Sequence, residues 1–124
     1  MYAITNIDDF EKEIEKETGP VLLACIRRDY NYNEQEKVIR KISNKFSAVM
    51  KVCLLDDESG AIYKKLGIEG TPTFLLFYNG EEKDRILGKT NLEKLNTFVL
   101  QALLALQMAT TEDNSGYQWL ISME

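Results

Sequence analysis

Two cysteines carry the most reactive side chains in this chain. Cys25 lies within the apolar run from Val21 to Ile26, and Cys53 lies within a second apolar run from Val49 to Leu55. The 124 residues include no histidine, so the chain lacks the usual proton acceptor at neutral pH and the commonest zinc ligand. A cysteine inside an apolar strand is typically a small buried hydrophobic residue. We therefore interpret Cys25 as structural, and we favour burial for Cys53 while keeping it as a candidate redox thiol.

Two tyrosines and an acidic run are the remaining candidates for chemistry or binding. Tyr30 and Tyr32 lie in a polar segment that follows the first apolar run. They indicate either a solvated loop with one packed ring or an aromatic recognition patch, since tyrosine is enriched where proteins meet. The run from Asp56 to Glu58 lacks the spacing of a calcium loop and is predicted to cap the helix that follows. We predict no metal site and no cofactor.

The composition excludes several classes of protein. Hydrophobic residues make up 44% and charged residues 28% of the chain, which is typical of one globular domain of this length. A formal net charge of −5 argues against nonspecific binding of nucleic acid, which needs a basic face. No apolar run approaches the roughly 20 residues that span a bilayer. The small number of cysteines and the lack of a signal-peptide pattern at the N-terminus favour a cytoplasmic location.

The order of apolar segments predicts helices and strands that alternate. Strands are expected at Val21 to Ile26, at Val49 to Leu55 and at Thr73 to Tyr78. Asn79-Gly80 is a strong signal for a tight hairpin turn, which makes the next apolar pair the antiparallel neighbour. Helices are predicted before, between and after these strands, the second from about Glu34 to Phe46 and the last behind a capping box that starts at Thr90. Alternating elements of this kind indicate a parallel sheet that ends in an antiparallel hairpin.

This order, with Gly70-Thr71-Pro72-Thr73 directly before the run from Phe74 to Glu81, resembles the thioredoxin family over roughly residues 7–106. The resemblance implies a three-layer α/β/α sandwich with a mixed sheet of four or five strands and Val21 to Ile26 at its centre. It also implies a cis peptide bond before Pro72. We predict a thioredoxin-like domain over residues 1–109 and a hinge and tail over residues 110–124, whose role the sequence leaves open.

The redox motif of the family is absent from the matching positions. Tyr30-Asn31-Tyr32-Asn33 stand where the resemblance places Cys-x-x-Cys, Ala24 stands at the position of the buried acid, and Cys53 at that of its lysine partner. Disulfide exchange needs a thiolate and a second thiol, so we expect no disulfide reductase activity and lean against an enzyme. In the same correspondence, Cys25 and Cys53 are predicted on opposite faces of neighbouring strands, too badly oriented for a disulfide.

These observations lead to three hypotheses about function. The first is a redox-inactive module that binds a peptide or a partner protein through the former active-site face. The second is a thiol redox protein or sensor that works through Cys53. The third is a structural subunit of an oligomer. The partner and the oligomeric state are unknown from the sequence. The predicted partner-binding residues are Tyr30, Asn31, Tyr32, Asn33, Thr71, Pro72 and Gly88.

Overall fold

The computed structural model of the protein describes residues 1–56 and 60–109. The predicted tail, residues 110–124, lies outside the described residues. The strands are β1 (Tyr2–Ile4), β2 (Pro20–Cys25), β3 (Lys51–Leu55), β4 (Thr73–Tyr78) and β5 (Glu81–Leu87). The α-helices are α1 (Ile7–Phe10), which continues as a π-helical segment (Glu11–Glu15), α2 (Tyr32–Lys45), α3 (Ala61–Leu66) and α4 (Leu92–Ala109). No helix in this part of the chain is long and apolar enough to cross a membrane.

The five strands form one mixed sheet in the order β1-β3-β2-β4-β5. Strands β1, β3 and β2 run parallel, while β4 is antiparallel to β2 and β5 is antiparallel to β4. Strand β2 is therefore the middle strand, and all its residues after Pro20 are buried. This arrangement confirms the predicted α/β sandwich with a mixed sheet and Val21 to Ile26 at its centre.

Strand β1 is an element that the sequence pattern does not predict. Its three residues pair in parallel with β3, with Tyr2 opposite Cys53 and Ile4 opposite Leu55. Only Ile4 is buried, so the segment has no run of alternating apolar residues from which a strand could be predicted. The pairing with β3 stabilises these residues as a strand, because their own sequence does not favour one.

Helices cover both faces of the sheet and divide the core in two. Helices α2 and α4 pack on one face through residues such as Ile42 and Val99. The π-helical segment and α3 cover the other face through Ile14 and Ile62. Alternate residues of β2 point to opposite faces, as the pleat of a strand requires, so the central strand contributes to both clusters.

The two edges of the sheet differ in charge. Strand β1 carries no charged residue, whereas β5 begins with five consecutive charged residues. The turn that leads into β5 matches the prediction, since Asn79 and Gly80 have φ values of 52° and 78°. A side chain at Gly80 would place its Cβ only 2.3 Å from the main-chain oxygen of Glu15. Glycine is therefore needed there for two reasons, the positive φ and the close approach of the π-helical segment.

Candidate functional site

The segment between β2 and α2 forms a tight turn that Asp29 organises. The main-chain N–H of Asn31 donates to the Asp29 carboxylate at 2.9 Å, and the N–H of Tyr32 donates to the Asp29 carbonyl at 3.1 Å. Helix α2 begins at Tyr32, two residues before the predicted start at Glu34. Tyr32 is therefore held in the first helical turn, while Tyr30 remains in the loop with 93% of its surface exposed.

A buried glutamine joins the start of α2 to the loop that follows β5. The Gln35 side-chain amide donates to the Thr90 carbonyl at 3.0 Å, and its oxygen accepts from the Thr90 N–H at 3.1 Å. Gln35 is 1% exposed and Thr90 is 7% exposed, so both hydrogen bonds are shielded from water. We call this pair of bonds the Gln35–Thr90 link. The link occupies the main-chain N–H of Thr90, which is the group that the predicted capping box would use. The side-chain oxygen of Asn91 accepts from the Lys94 N–H at 2.9 Å instead.

Pro72 and Gly88 meet beside the start of α2. The Thr71–Pro72 peptide bond is cis. The Gly88 N–H donates to the Pro72 carbonyl at 2.8 Å. On the other side of the proline, the Thr73 hydroxyl donates to the Gly70 carbonyl at 2.6 Å. These bonds on both sides of Pro72 hold the turn against the end of β5.

A small cavity of about 40 Å³ lies between the turn at Pro72 and the segment that leads from β2 into α2. Its lining consists of Ile26, Arg27, Asp29, Asn31, Tyr32, Gln35, Thr71 and Pro72. Four of the predicted partner-binding residues thus share one cavity, and Gly88 is hydrogen-bonded to Pro72. Tyr30 and Asn33 are exposed outside it. A space of this size holds about one water molecule, so this small cavity by itself is too small for a larger ligand.

Tyr32 is held in place by its neighbours, and its hydroxyl is not activated for catalysis. The guanidinium carbon of Arg28 lies 4.8 Å from the centre of the Tyr32 ring. Burial raises the pKa of the Tyr32 hydroxyl, and its hydrogen bond to Glu36 raises it further. The hydrogen bond from Arg40, with 3.0 Å between Arg40 Nε and Glu36 Oε1, is the main cause of the lowered pKa of Glu36. Tyr32 therefore stays protonated at neutral pH and donates to a carboxylate.

A larger groove adjoins the small cavity. It has a volume of about 550 Å³, within the range of ligand-binding clefts. We call it the arginine groove, and its described lining consists of Ile26, Arg27, Arg28, Tyr32, Leu54, Leu55, Asp56, Gly60, Tyr63, Lys64, Gly67 and Ile68. Tyr32 lines both the groove and the small cavity, so the two features form one continuous surface. The groove is not predictable from local sequence patterns, because its lining comes from segments that are far apart along the chain.

The two cysteines lie on the same face of the sheet, which corrects the prediction of opposite faces. Leu23 pairs with Cys53 and Cys25 pairs with Leu55, so the cysteines are two positions apart in register and their side chains share one hydrophobic cluster. Both thiols are free and fully buried. Burial raises the pKa of each to about 12. A thiol that stays protonated and inaccessible is a poor nucleophile, which counts against a redox role for Cys53.

Only Asp56 of the acidic run lies within the described residues. Asp56 lies 3.6 Å from Arg28 in an ion pair of exposed side chains. Asp57 and Glu58, for which we predict a helix-capping role, lie outside the described residues. Across residues 1–56 and 60–109, no group of three cysteine or acidic side chains could hold a metal ion.

Comparison with solved structures defines the class of protein. The thioredoxin of Malassezia sympodialis superposes with a TM-score of 0.70 at 21% sequence identity, over 82% of this chain and 90% of that one. At this level of identity the similarity shows the fold, which is the thioredoxin fold. A mixed sheet between helices, with a cis-proline facing the start of α2, agrees with that class.

Sequence comparison then gives the family. The family model for thioredoxin matches residues 2–101. A thioredoxin of Rickettsia bellii is 34% identical over 88 residues, which cover 68% of this chain and 84% of that protein. Protein disulfide-isomerase 5-1 of Arabidopsis thaliana is 36% identical over 75 residues, and the chain spans about half of its length, 51%. The chain belongs to the thioredoxin family.

Proposed function

We propose that this protein is a redox-inactive member of its family that binds a peptide or partner protein through the former active-site face. The observation that carries the proposal is that Tyr30 and Asn33 stand where the resemblance places the two motif cysteines, in a chain that forms the five-stranded mixed sheet. Tyr30 is 93% exposed, and tyrosine is enriched where proteins meet. A cytoplasmic location is part of the same proposal.

The chain next to Pro72 supports the binding of an extended segment. Among the described residues, the main-chain N–H and C=O of Thr71 make no hydrogen bond. Unpaired main-chain groups at the surface can pair with a peptide that adds to them as a strand. The Gln35–Thr90 link and the bond from Gly88 to Pro72 hold the two sides of this surface in place. A rigid surface loses less entropy on binding than a mobile one.

The proposal is tested by affinity capture from the source cell, followed by titration of the captured partner. Replacing Tyr30 and Tyr32 together by alanine should weaken binding by about 2 kcal/mol, or roughly 30-fold, if both rings are anchors. Leu104→Ala is the matched control, because Leu104 is 46% exposed on α4 and does not line the site. Equal capture by the wild type and the double variant, with both proteins folded, would contradict the proposal.

A disulfide reduction assay tests the redox-inactive part separately. With insulin as substrate and dithiothreitol as the electron source, the protein should not exceed the uncatalysed rate, because neither Tyr30 nor Asn33 can form a thiolate. A rate within about tenfold of that of a thioredoxin with both motif cysteines would refute this part and return attention to Cys53. The oligomer hypothesis stays a prediction that sedimentation of full-length and tail-deleted chains would test.

A further inference from the structure

Among the residues that the structure describes, the lining of the arginine groove carries more positive than negative charge. Its described lining includes three cationic residues, Arg27, Arg28 and Lys64, and one anionic residue, Asp56. The whole chain has a formal net charge of −5. A local excess of positive charge on an acidic protein attracts an acidic group to that place rather than to the surface in general.

Both arginines are held by aromatic rings. The Arg27 guanidinium lies 5.7 Å from the centre of the Tyr63 ring, and that of Arg28 lies 4.8 Å from the centre of the Tyr32 ring. A cation–π contact of this kind attracts the guanidinium to the ring while its N–H groups remain available for hydrogen bonds. Such a group binds a carboxylate with a smaller loss of side-chain entropy than a mobile lysine would.

The hydrogen-bonding capacity of these two side chains is largely unused. Within the described residues, the Arg27 guanidinium makes no hydrogen bond or ion pair. Arg28 approaches Asp56 only to 3.6 Å, and the two side chains are 69% and 48% exposed. An exposed pair of this kind contributes little free energy, so an incoming carboxylate can compete for Arg28.

We propose that the arginine groove binds the carboxylate side chains of an extended acidic segment of a partner protein. This inference rests on the proposed function, because Tyr32 joins the groove to the surface beside Pro72. Each arginine offers a planar pair of donors that matches a carboxylate. The apolar part of the groove lining, which includes Leu54 and Ile68, accepts the aliphatic side chains that alternate with the acidic ones in an extended segment.

Selection from a random-peptide phage library on the full-length protein identifies suitable probes without knowledge of the partner. The enriched peptides should contain more Asp and Glu than the library does. Fluorescein-labelled copies should bind R27Q/R28Q at least about tenfold more weakly than the wild type, because two charge-assisted contacts are lost. They should bind D56N more tightly, since this change removes the carboxylate that competes for Arg28.

The matched control is K37Q/K41Q, which removes the same charge from the exposed side of α2 and should change the affinity by less than about twofold, as expected for charges screened by solvent. Circular dichroism confirms that each variant is folded. Selected peptides that are not acidic, or that bind R27Q/R28Q as tightly as the wild type, would overturn this inference while leaving the proposed function intact. Failure to select any peptide would also overturn this inference, whereas the proposed function is overturned only by the capture experiment described above.

Discussion

Replacing Gln35 tests how the two halves of the candidate site are held together. The Gln35–Thr90 link joins helix α2 to the loop after β5 through two hydrogen bonds between residues 55 positions apart. Gln35→Ala removes both bonds and leaves a small void. Gln35→Met also removes both bonds but keeps most of the side-chain volume. Comparing the two variants separates the contribution of hydrogen bonding from that of packing.

The expected loss of unfolding free energy follows from the burial of Thr90, the hydrogen-bond partner of Gln35. Thr90 is 7% exposed, so its N–H and C=O would lose their partners where water has little access. Each unsatisfied group costs about 1–3 kcal/mol. Because two such groups are left without partners, we expect Gln35→Met to reduce the free energy of unfolding by about 2–6 kcal/mol, and Gln35→Ala to reduce it by about 1 kcal/mol more because of the void.

Urea denaturation followed by circular dichroism measures the effect. A loss of about 3 kcal/mol should lower the midpoint by about 1–3 M urea for a domain of this size. Thr90→Ser is the matched control, because the link uses only the main chain of Thr90, and it should cost less than about 1 kcal/mol. If Gln35→Met were as stable as the wild type, or if Thr90→Ser were as damaging as Gln35→Ala, the reasoning would be refuted.

The remaining predictions concern the thiols and the glycines. Cys25 and Cys53 should not react with a thiol reagent at pH 8 in the folded protein and should both react after unfolding; rapid labelling of native Cys53 would contradict its burial. Because the pKa of each thiol rises from 9.0 to about 12 on folding, their contribution to stability is complete below pH 9 and is lost as the pH rises towards 12. A Cys25→Ala, Cys53→Ala variant should therefore lose less of its free energy of unfolding across that range than the wild type does. Gly80→Ala should cost about 2–4 kcal/mol, since it combines a positive φ with a main-chain clash. Gly67→Ala, with φ +63 and open space around it, should cost about 1 kcal/mol; equal unfolding midpoints for the two variants would remove the clash argument.

Local signals predicted most of the sheet. Two apolar runs are long enough to predict buried strands, namely Val21 to Ile26 and Thr73 to Tyr78. Asn79-Gly80 predicts a tight turn, because both residues adopt positive φ values. Strand β1 carried no such signal, because three residues with one buried side chain show no period. The mixed sheet followed from the alternation of helices and strands rather than from any single residue, whereas the full order of the strands was not predicted.

The parts of the site that were missed depend on contacts between distant segments. The Gln35–Thr90 link requires a particular approach of α2 to the loop after β5, which neither local pattern encodes. The shared face of Cys25 and Cys53 depends on the register between β2 and β3, and a shift of one residue would place one thiol on the other face. The stacking of Arg27 on Tyr63 likewise needs β2 and α3 to be placed first.

The unequal charge on the two edges of the sheet has a consequence for how this protein behaves at high concentration. An open edge can pair with the edge of another molecule and start aggregation, and charged side chains oppose such pairing. Strand β5 is protected in this way by Glu81, Glu82, Lys83, Asp84 and Arg85. Strand β1 has no charge, and its protection is its length of three residues, which offers too few main-chain groups for a stable intermolecular ladder. A sequence change that extended β1 with apolar residues would remove that protection, whereas the same extension of β5 would still meet a charged strand.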